Sequence, residues 1–317
     1  MAVVAGAAAE GDFVTIGRIR FASLSLRWHI WLLYLSMRMA GRLPLSWLHA
    51  LGAGIGRVLA NTDNSLRRRA RHTLALADAP LGNTPRDQFL HAALIEGGKG
   101  FAEVAKIWTA DPQRLLALVR KIEGGELFEA ARAQGRGVIV AAPHLGCWEL
   151  LNYWLGSQPD KLAIVYRPPR QAALNPLLLR VRGRLRAEQI PAAGTANMRR
   201  LYRHVSAGGT VMIMPDQEPK QGDGVFAPFF GTPALTMVLL SRLAQRTGAT
   251  VLFAFLERLP RAQGYVLHFL PAPAEIADAD LTRAVIALNH GVEDCVRCAP
   301  LQYQWHYKRY SIRPKAG

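Results

Sequence analysis

Short apolar runs separated by helical stretches constrain the fold of this chain more than any other feature. Four runs have the length and composition of buried strands, namely 138–142, 162–166, 210–214 and 250–256. Helical patterns lie between or beside them, over 126–134, 149–155, 174–187, 198–206, 236–247 and 281–298. Strands that alternate with helices predict an α/β fold with a mostly parallel central sheet flanked by helices. We expect residues 264–270 to add a strand antiparallel to the one before it.

Charge and cysteine content narrow the classes of function. The chain has 317 residues, half of them hydrophobic, and a formal net charge of +16. This composition excludes a disordered polyelectrolyte, and the charge favours a polyanionic partner, either nucleic acid or an anionic membrane surface. Three cysteines, Cys147, Cys295 and Cys298, cannot form a disulfide framework and indicate a reducing compartment. The Cys-x-x-Cys at 295–298 lacks the second ligand pair of a zinc site.

The N-terminal region favours the membrane. Residues 1–12 lack the basic start of a secretory signal and contain Glu10 and Asp12. Residues 21–60 interleave tryptophans with arginines, and no uncharged run approaches the roughly 20 residues of a membrane span. This pattern predicts helices that lie in the headgroup layer. The alternatives are a tilted span and an amphipathic helix packed on the protein's own core. No nucleic-acid-binding motif appears in the sequence.

A basic stretch and a turn-forming segment follow the aromatic region. Residues 66–72, LRRRARH, form either a patch that binds lipid phosphates or a solvated helix face. Residues 79–85, APLGNTP, predict a boundary between an N-terminal membrane-associated helical segment, 1–80, and an α/β domain, 81–317. Gly52, Gly54 and Gly56 follow no predicted strand and therefore indicate helix packing rather than a nucleotide site.

A histidine follows the first predicted strand. Ligands of α/β sheets bind outside the carboxyl ends of the strands, so His144 and Glu149 are the first candidates for chemistry. A loop His144 and a Glu149 in the first helical turn let the carboxylate approach one imidazole nitrogen and leave the other as a general base. No Gly-x-Ser-x-Gly motif supplies a nucleophile, so a substrate hydroxyl must attack a carbonyl. We interpret the neighbouring Cys147 as a packing residue rather than a thiol nucleophile.

Several motifs occur in a specific order over about residues 25–312. An aromatic N-terminal segment and an Arg-rich helix precede Glu103, Trp108, His144-Leu-Gly-Cys-Trp-Glu149, Tyr166-Arg-Pro168, Pro215-Asp-Gln217, Val225-Phe-Ala-Pro-Phe-Phe-Gly231, Thr236 and Gln302-Tyr-Gln-Trp305. This series resembles the late (lauroyl or myristoyl) acyltransferases of lipid A biosynthesis, within the lysophospholipid acyltransferase superfamily. The chain departs from the family pattern at Pro300-Leu301 and His306-Tyr-Lys-Arg309, which leaves room for a related acceptor.

The resemblance implies a glycerolipid acyltransferase-like fold and an O-acyltransferase that needs no metal or cofactor. It makes His144 the general base and Glu149 the residue that orients it. The donor is a fatty acyl thioester, usually carried by acyl carrier protein, and the acceptor is an anionic lipid A precursor. The implied location is the cytoplasmic face of the cell inner membrane, where the net charge of +16 suits both an acidic protein and lipid phosphates.

Four further residues are predicted to bind substrate. Arg167 is expected to contact a phosphate or the oxyanion, with a structural ion pair as the alternative. Asp216 and Gln217 are expected to line the acceptor site or to cap a loop. Gly146 gives backbone access to the thioester oxygen or merely permits the turn. Besides acyl-ACP-dependent transfer to lipid A, two functions stay open: transfer to a lysophospholipid, glycolipid or other lipid alcohol, with acyl-CoA or acyl-ACP, and non-catalytic membrane binding.

Overall fold

The computed structural model describes residues 14–16, 19–21, 24–167, 175–182, 184, 187–220 and 222–314. The strands are β1 (Val14–Ile16), β2 (Ile19–Phe21), β3 (Val119–Glu123), β4 (Val138–Ala141), β5 (Leu162–Tyr166), β6 (Glu188–Pro191), β7 (Thr210–Ile213), β8 (Gly224–Phe229), β9 (Thr232–Met237), β10 (Thr250–Arg258) and β11 (Tyr265–Pro271). The helices are α1 (Leu24–Ala40), α2 (Leu45–Asn61), α3 (Ser65–Leu76), α4 (Arg86–Thr109), α5 (Pro112–Leu116), α6 (Gly125–Ala133), α7 (Trp148–Gly156), α8 (Asn175–Arg182), α9 (Thr195–Ser206), α10 (Leu239–Thr247) and α11 (Leu281–Cys298). The expectations for residues 1–12 and for Pro168 fall outside the described residues.

The central sheet has the strand order β3-β11-β10-β4-β7-β5-β6. Its strands β10, β4, β7, β5 and β6 run parallel to one another. β11 is antiparallel to β10 and carries β3 at its other edge. The prediction of an α/β fold with a mostly parallel sheet is confirmed, as are the four apolar strands and the antiparallel fifth. The carboxyl ends of β4, β7 and β5 therefore lie side by side at one edge of the sheet.

The sheet is buried on both faces because the side chains of its strands alternate between two apolar clusters. In β4, Ile139 and Ala141 pack with residues of α9, α10 and α11. Val138 and Val140 point to the opposite face and pack with residues of α6, α7 and α8. All four side chains are buried, so the strand that leads to His144 is fixed from both sides.

Elements at the periphery differ from the sequence prediction. β3 and β6 were missed because they are edge strands of four or five residues with mostly polar sequences. The helix predicted over 236–247 begins only at Leu239, because Thr232–Met237 pairs with Gly224–Phe229 in a hairpin. The two-residue turn of this hairpin, Phe230 and Gly231, has φ values of 45° and 76°. The helix predicted over 174–187 ends at Arg182.

Helices α2 and α4 pack closely through glycines. A Cβ atom built on Gly98 would overlap the backbone of Gly52 and Gly56, and one on Gly56 would lie 2.5 Å from Ile95 Cα. Gly54 has open space around it. The interpretation of this glycine cluster as a helix-packing feature is confirmed for Gly52 and Gly56.

The first two helices present large apolar side chains to solvent. Trp28, Trp31 and Trp47 are 54%, 50% and 66% exposed, whereas Ile30 and Leu48 are buried. Packing on the protein's own core therefore accounts for only one face of α1 and α2. Within the described part of the chain, no helix has both the length and the hydropathy needed to cross a bilayer.

Candidate active site

His144 lies on a loop that is held on both sides. Pro143 and His144 follow β4, and the next two residues form single β-bridges, Leu145 with Tyr303 and Gly146 with Leu256. The backbone N–H of Gln304 donates to the His144 carbonyl oxygen at 3.1 Å. The imidazole is only slightly exposed, at 6% for the whole residue. This buried loop presents the ring at the carboxyl edge of the sheet, as the sequence predicted.

The carboxylate of Asp216 binds both the ring and the backbone of His144. Asp216 Oδ1 lies 2.8 Å from His144 Nδ1, and Asp216 Oδ2 accepts the His144 backbone N–H at 2.9 Å. The two residues are 72 positions apart in sequence and meet because β4 and β7 are neighbours in the sheet. The sequence led us to expect Asp216 to line the acceptor site or to cap a loop, and in the structure its carboxylate contacts the ring and the backbone of His144.

The protonation of this pair follows from the surroundings of Asp216. Burial alone would raise the pKa of the Asp216 carboxyl. The charge of His144 and the two hydrogen bonds from His144 outweigh this effect, so the pKa lies below its ordinary value. An ionised carboxylate only accepts hydrogen bonds, so Nδ1 of His144 carries a proton and donates it to Oδ1. In the neutral ring, the lone pair therefore lies on Nε2, which is the atom suited to act as a base.

Glu149 does not contact the histidine. Its carboxylate forms an ion pair with Arg182 of α8, in which Arg182 Nε lies 3.3 Å from Oε2, and it accepts the Trp108 indole N–H at 3.2 Å. No hydrogen bond or ion pair within 4.0 Å joins Glu149 to His144. The predicted contact between these two residues is wrong, because the turn at Gly146 and the start of α7 aim the carboxylate at α4 and α8.

Gly146 allows the turn between His144 and α7. Its φ is +58°, and a Cβ at this position would overlap the Leu256 carbonyl oxygen. Its backbone N–H donates to the Gln302 carbonyl oxygen at 3.2 Å. Of the two expected roles, the geometry accounts for the turn, and backbone access to the thioester oxygen stays a prediction.

Arg167 and Gln217 lie at the same edge of the sheet as the histidine. Arg167 follows β5, is exposed, and donates from Nη1 to the Glu218 carbonyl oxygen at 3.2 Å. Among the described residues, no carboxylate oxygen lies within 4.0 Å of its guanidinium. Gln217 Nε2 lies 3.0 Å from His144 Nε2, so this residue touches the atom that would act as the base.

A C-terminal segment packs against His144. The sequence did not assign this segment to the site. The Tyr307 ring lies nearly parallel to the imidazole, with the ring centres 5.9 Å apart. Ile312 donates its backbone N–H to Glu218 Oε1 at 2.8 Å, next to Gln217. Arg309, which is 2% exposed, adds to the lowering of the Asp216 pKa. The aromatic residues around Gln302-Tyr-Gln-Trp305 were the signal in the sequence, but their packing partners could not be inferred from it.

A buried network of ion pairs lies beside the loop that carries His144. Arg258, at the end of β10, donates to Glu103 Oε2 at 2.8 Å and to Glu96 Oε2 at 2.9 Å. His49 Nε2 lies 2.6 Å from Glu103 Oε1. The network joins α2 and α4 to the sheet beside the residues that follow His144.

This network predicts a loss of stability in acid. Burial raises the pKa of Glu103, but Arg258 and His49 lower it more strongly, to about 2. A carboxyl whose pKa is lower in the folded state contributes stability above its unfolded pKa and loses it as the pH falls. We expect the free energy of unfolding to fall between pH 4.5 and pH 2. Urea denaturation across this range should give a shallower pH dependence for Glu103→Gln, and parallel curves for the two proteins would contradict the assignment.

Cys147 was the other candidate nucleophile near His144. Burial raises the pKa of the Cys147 thiol well above its ordinary value, which fits a packing residue rather than a nucleophile. Within the described residues, no group of three or more His, Cys, Asp or Glu side chains has the geometry to hold a metal ion.

Sequence comparison identifies the family to which this chain belongs. The family model of the bacterial lipid A biosynthesis acyltransferases matches residues 18–311. The chain belongs to this family. It is similar to the lipid A biosynthesis lauroyltransferase of Escherichia coli K12, with 27% identity over 307 residues, 93% of this chain and 96% of the relative. It also resembles the palmitoleoyltransferase of the same organism, with 29% identity over 283 residues, 86% of this chain and 88% of the relative.

A relative with a different name matches about half of the chain. The phosphatidylinositol mannoside acyltransferase of Mycobacterium tuberculosis is 27% identical over 169 residues, 52% of this chain and 53% of the relative. The resemblance predicted from the motifs is confirmed, and this family member is an acyltransferase.

Proposed function

We propose that this family member transfers a fatty acyl chain from an acyl thioester to a hydroxyl of a lipid A precursor, with His144 as the general base. The observation that carries the proposal is the His144–Asp216 pair, whose Nδ1 to Oδ1 distance is 2.8 Å. The ionised carboxylate fixes the tautomer that leaves Nε2 able to accept a proton, and it stabilises the imidazolium that forms.

The reaction needs no nucleophile from the protein. The acceptor hydroxyl gives its proton to His144 Nε2 while its oxygen attacks the thioester carbonyl carbon. The carbon–sulfur bond then breaks, and the imidazolium returns the proton to the leaving sulfur. The products are an acylated lipid and a free thiol. In this scheme Glu149 acts through Arg182 and α8 rather than on the imidazole, and Arg167 contacts a phosphate of the acceptor or the oxyanion.

Acyl carrier protein is our proposed donor. It is a small acidic protein, and the net charge of +16 on this chain favours fast association with such a partner. The anionic acceptor benefits from the same charge. The alternative donor, acyl-CoA, is also anionic, so charge alone does not separate the two.

We further propose that α1, α2 and α3 bind the cytoplasmic face of the inner membrane. The support is the exposed apolar side chains of α1 and α2, among them Trp47 at 66% and Val58 at 62% exposure. Tryptophan side chains favour the membrane interface. Arg68 and Arg71 of α3 are also exposed, although each forms a surface ion pair, with Asp63 and Asp87 respectively. The exposed apolar side chains and arginines of α1, α2 and α3 suit contact with lipid headgroups better than contact with water.

The experiment that tests the function follows a labelled acyl chain in detergent micelles. Acyl-ACP or acyl-CoA is offered with a lipid A precursor, a lysophospholipid or a phosphatidylinositol mannoside, the last because of the mycobacterial relative. Label on the lipid A precursor from acyl-ACP is the expected result. Label on another acceptor alone would keep the reaction class and overturn the substrate, and no label on any acceptor would favour a protein that binds membranes without catalysis.

A further inference from the structure

We propose that Gln217 caps the base, which keeps His144 from activating water until a lipid hydroxyl displaces the glutamine side chain. The inference rests on the proposed function, because it concerns the same imidazole. Its observation is the contact between Gln217 Nε2 and His144 Nε2, at 3.0 Å.

The direction of this hydrogen bond follows from the other side of the ring. Asp216 accepts from Nδ1 and from the backbone N–H of His144, so the ring proton lies on Nδ1 and the lone pair on Nε2. An amide nitrogen only donates, so Gln217 Nε2–H donates to that lone pair. Nε2 has a single lone pair. While Gln217 holds it, neither water nor a lipid hydroxyl can transfer a proton to the ring.

The chain places the two partners of His144 next to each other. Asp216 and Gln217 are consecutive residues after β7, and their side chains reach the two nitrogens of one ring. Asp216 is buried and ionised, whereas Gln217 is half-buried and makes a neutral hydrogen bond. The neutral bond is the weaker of the two and the one that an incoming hydroxyl can replace. The Gln217 side chain therefore occupies the position at His144 Nε2 that the acceptor hydroxyl must take.

The hydrogen bond from Gln217 to His144 protects the acyl thioester from hydrolysis. In the uncapped enzyme, water can give a proton to Nε2, attack the thioester carbonyl carbon and release a fatty acid and a thiol, with the proton passing to the sulfur. With the cap in place, this hydrolysis loses its base. A bound acceptor removes the cap and supplies the nucleophile in the same step, so transfer is favoured over hydrolysis.

The test measures both reactions in the full-length protein with acyl-ACP as the probe. We expect Gln217→Ala to raise the ratio of fatty acid released without acceptor to ester formed with acceptor by about tenfold, the factor that corresponds to the loss of one neutral hydrogen bond to the base. In Gln217→Ala/His144→Ala, the rate of fatty acid release without acceptor should fall to that of His144→Ala, because the hydrolysis depends on the imidazole. An unchanged ratio in a folded Gln217→Ala protein would overturn the proposal.

A second readout does not depend on the reaction. Nitrogen NMR of the labelled histidine ring reports the tautomer of His144 and the hydrogen bond at each ring nitrogen. Gln217→Ala removes the donor to Nε2 and leaves Asp216 in place, so the Nε2 resonance of the neutral ring should move while the Nδ1 resonance stays. An unchanged Nε2 resonance would overturn the contact. If no acceptor is acylated but the Nε2 resonance moves, the proposed function fails while the hydrogen bond from Gln217 stands.

Discussion

Replacing Asp216 with asparagine is expected to lower kcat for acyl transfer by about 10³–10⁴-fold. The carboxylate accepts two N–H groups of His144, one from the ring and one from the backbone. An amide offers one oxygen and one NH₂ group, so either orientation sets a donor against a donor. If the NH₂ group faces Nδ1, the ring adopts the tautomer with its proton on Nε2, and Nε2 can no longer act as the base.

Steady-state transfer with saturating donor and acceptor measures this effect. Asp223→Asn is the matched control, because Asp223 lies on the same loop beyond Gln217 and is exposed. The control should keep the activity of the unmodified protein. An Asp216→Asn protein that retained more than a tenth of that activity would show that the carboxylate does not support the base.

Replacing Glu149 with glutamine is expected to lower the free energy of unfolding by about 3–5 kcal/mol. The Arg182 guanidinium and the Glu149 carboxylate are largely buried, at 12% and 6% side-chain exposure. Without the carboxylate, Arg182 keeps its charge in a site with little access to water, and α8 loses its ion pair with α7. Urea denaturation of the purified protein measures the change.

A double variant separates this role from a direct one on the histidine. Glu149→Gln/Arg182→Met removes both charges and should recover a large part of the lost stability, because no unpaired charge remains in the site. A residue that only oriented the imidazole would lose activity with little change in stability. Full stability of Glu149→Gln, with transfer abolished, would therefore restore the contact that the sequence suggested and contradict the one in the structure.

The sequence predicted the centre of the fold because the central strands are apolar along their whole length. Runs such as 138–142 and 210–214 are buried on both faces of the sheet, so their composition reveals them. β3 and β6 lie at the two edges of the same sheet and carry polar residues, so nothing in their composition distinguishes them from loops.

The sequence selected residues that the structure brings together at one edge of the sheet, but it did not predict how they pair. Strand order brings His144 and Asp216 to one edge of the sheet, and both were selected from the sequence. Which carboxylate meets the ring depends on the turn at Gly146 and on the direction of α7, and neither follows from the five-residue spacing of His144 and Glu149. The contributions of Tyr307 and Arg309 depend on a C-terminal segment that folds back over the loop, which is a long-range contact without a local signal.

The central claim is that His144 is the base for transfer of the acyl chain to a hydroxyl. The most direct test is a single-turnover measurement of labelled acyl transfer from acyl-ACP to the lipid A precursor by His144→Ala and by His290→Ala. His290 lies exposed on α11 and serves as the matched histidine control. We predict that His144→Ala, folded like the unmodified protein, transfers about 10³–10⁴-fold more slowly, whereas His290→Ala transfers at the original rate. Equal rates for the two variants would contradict the account.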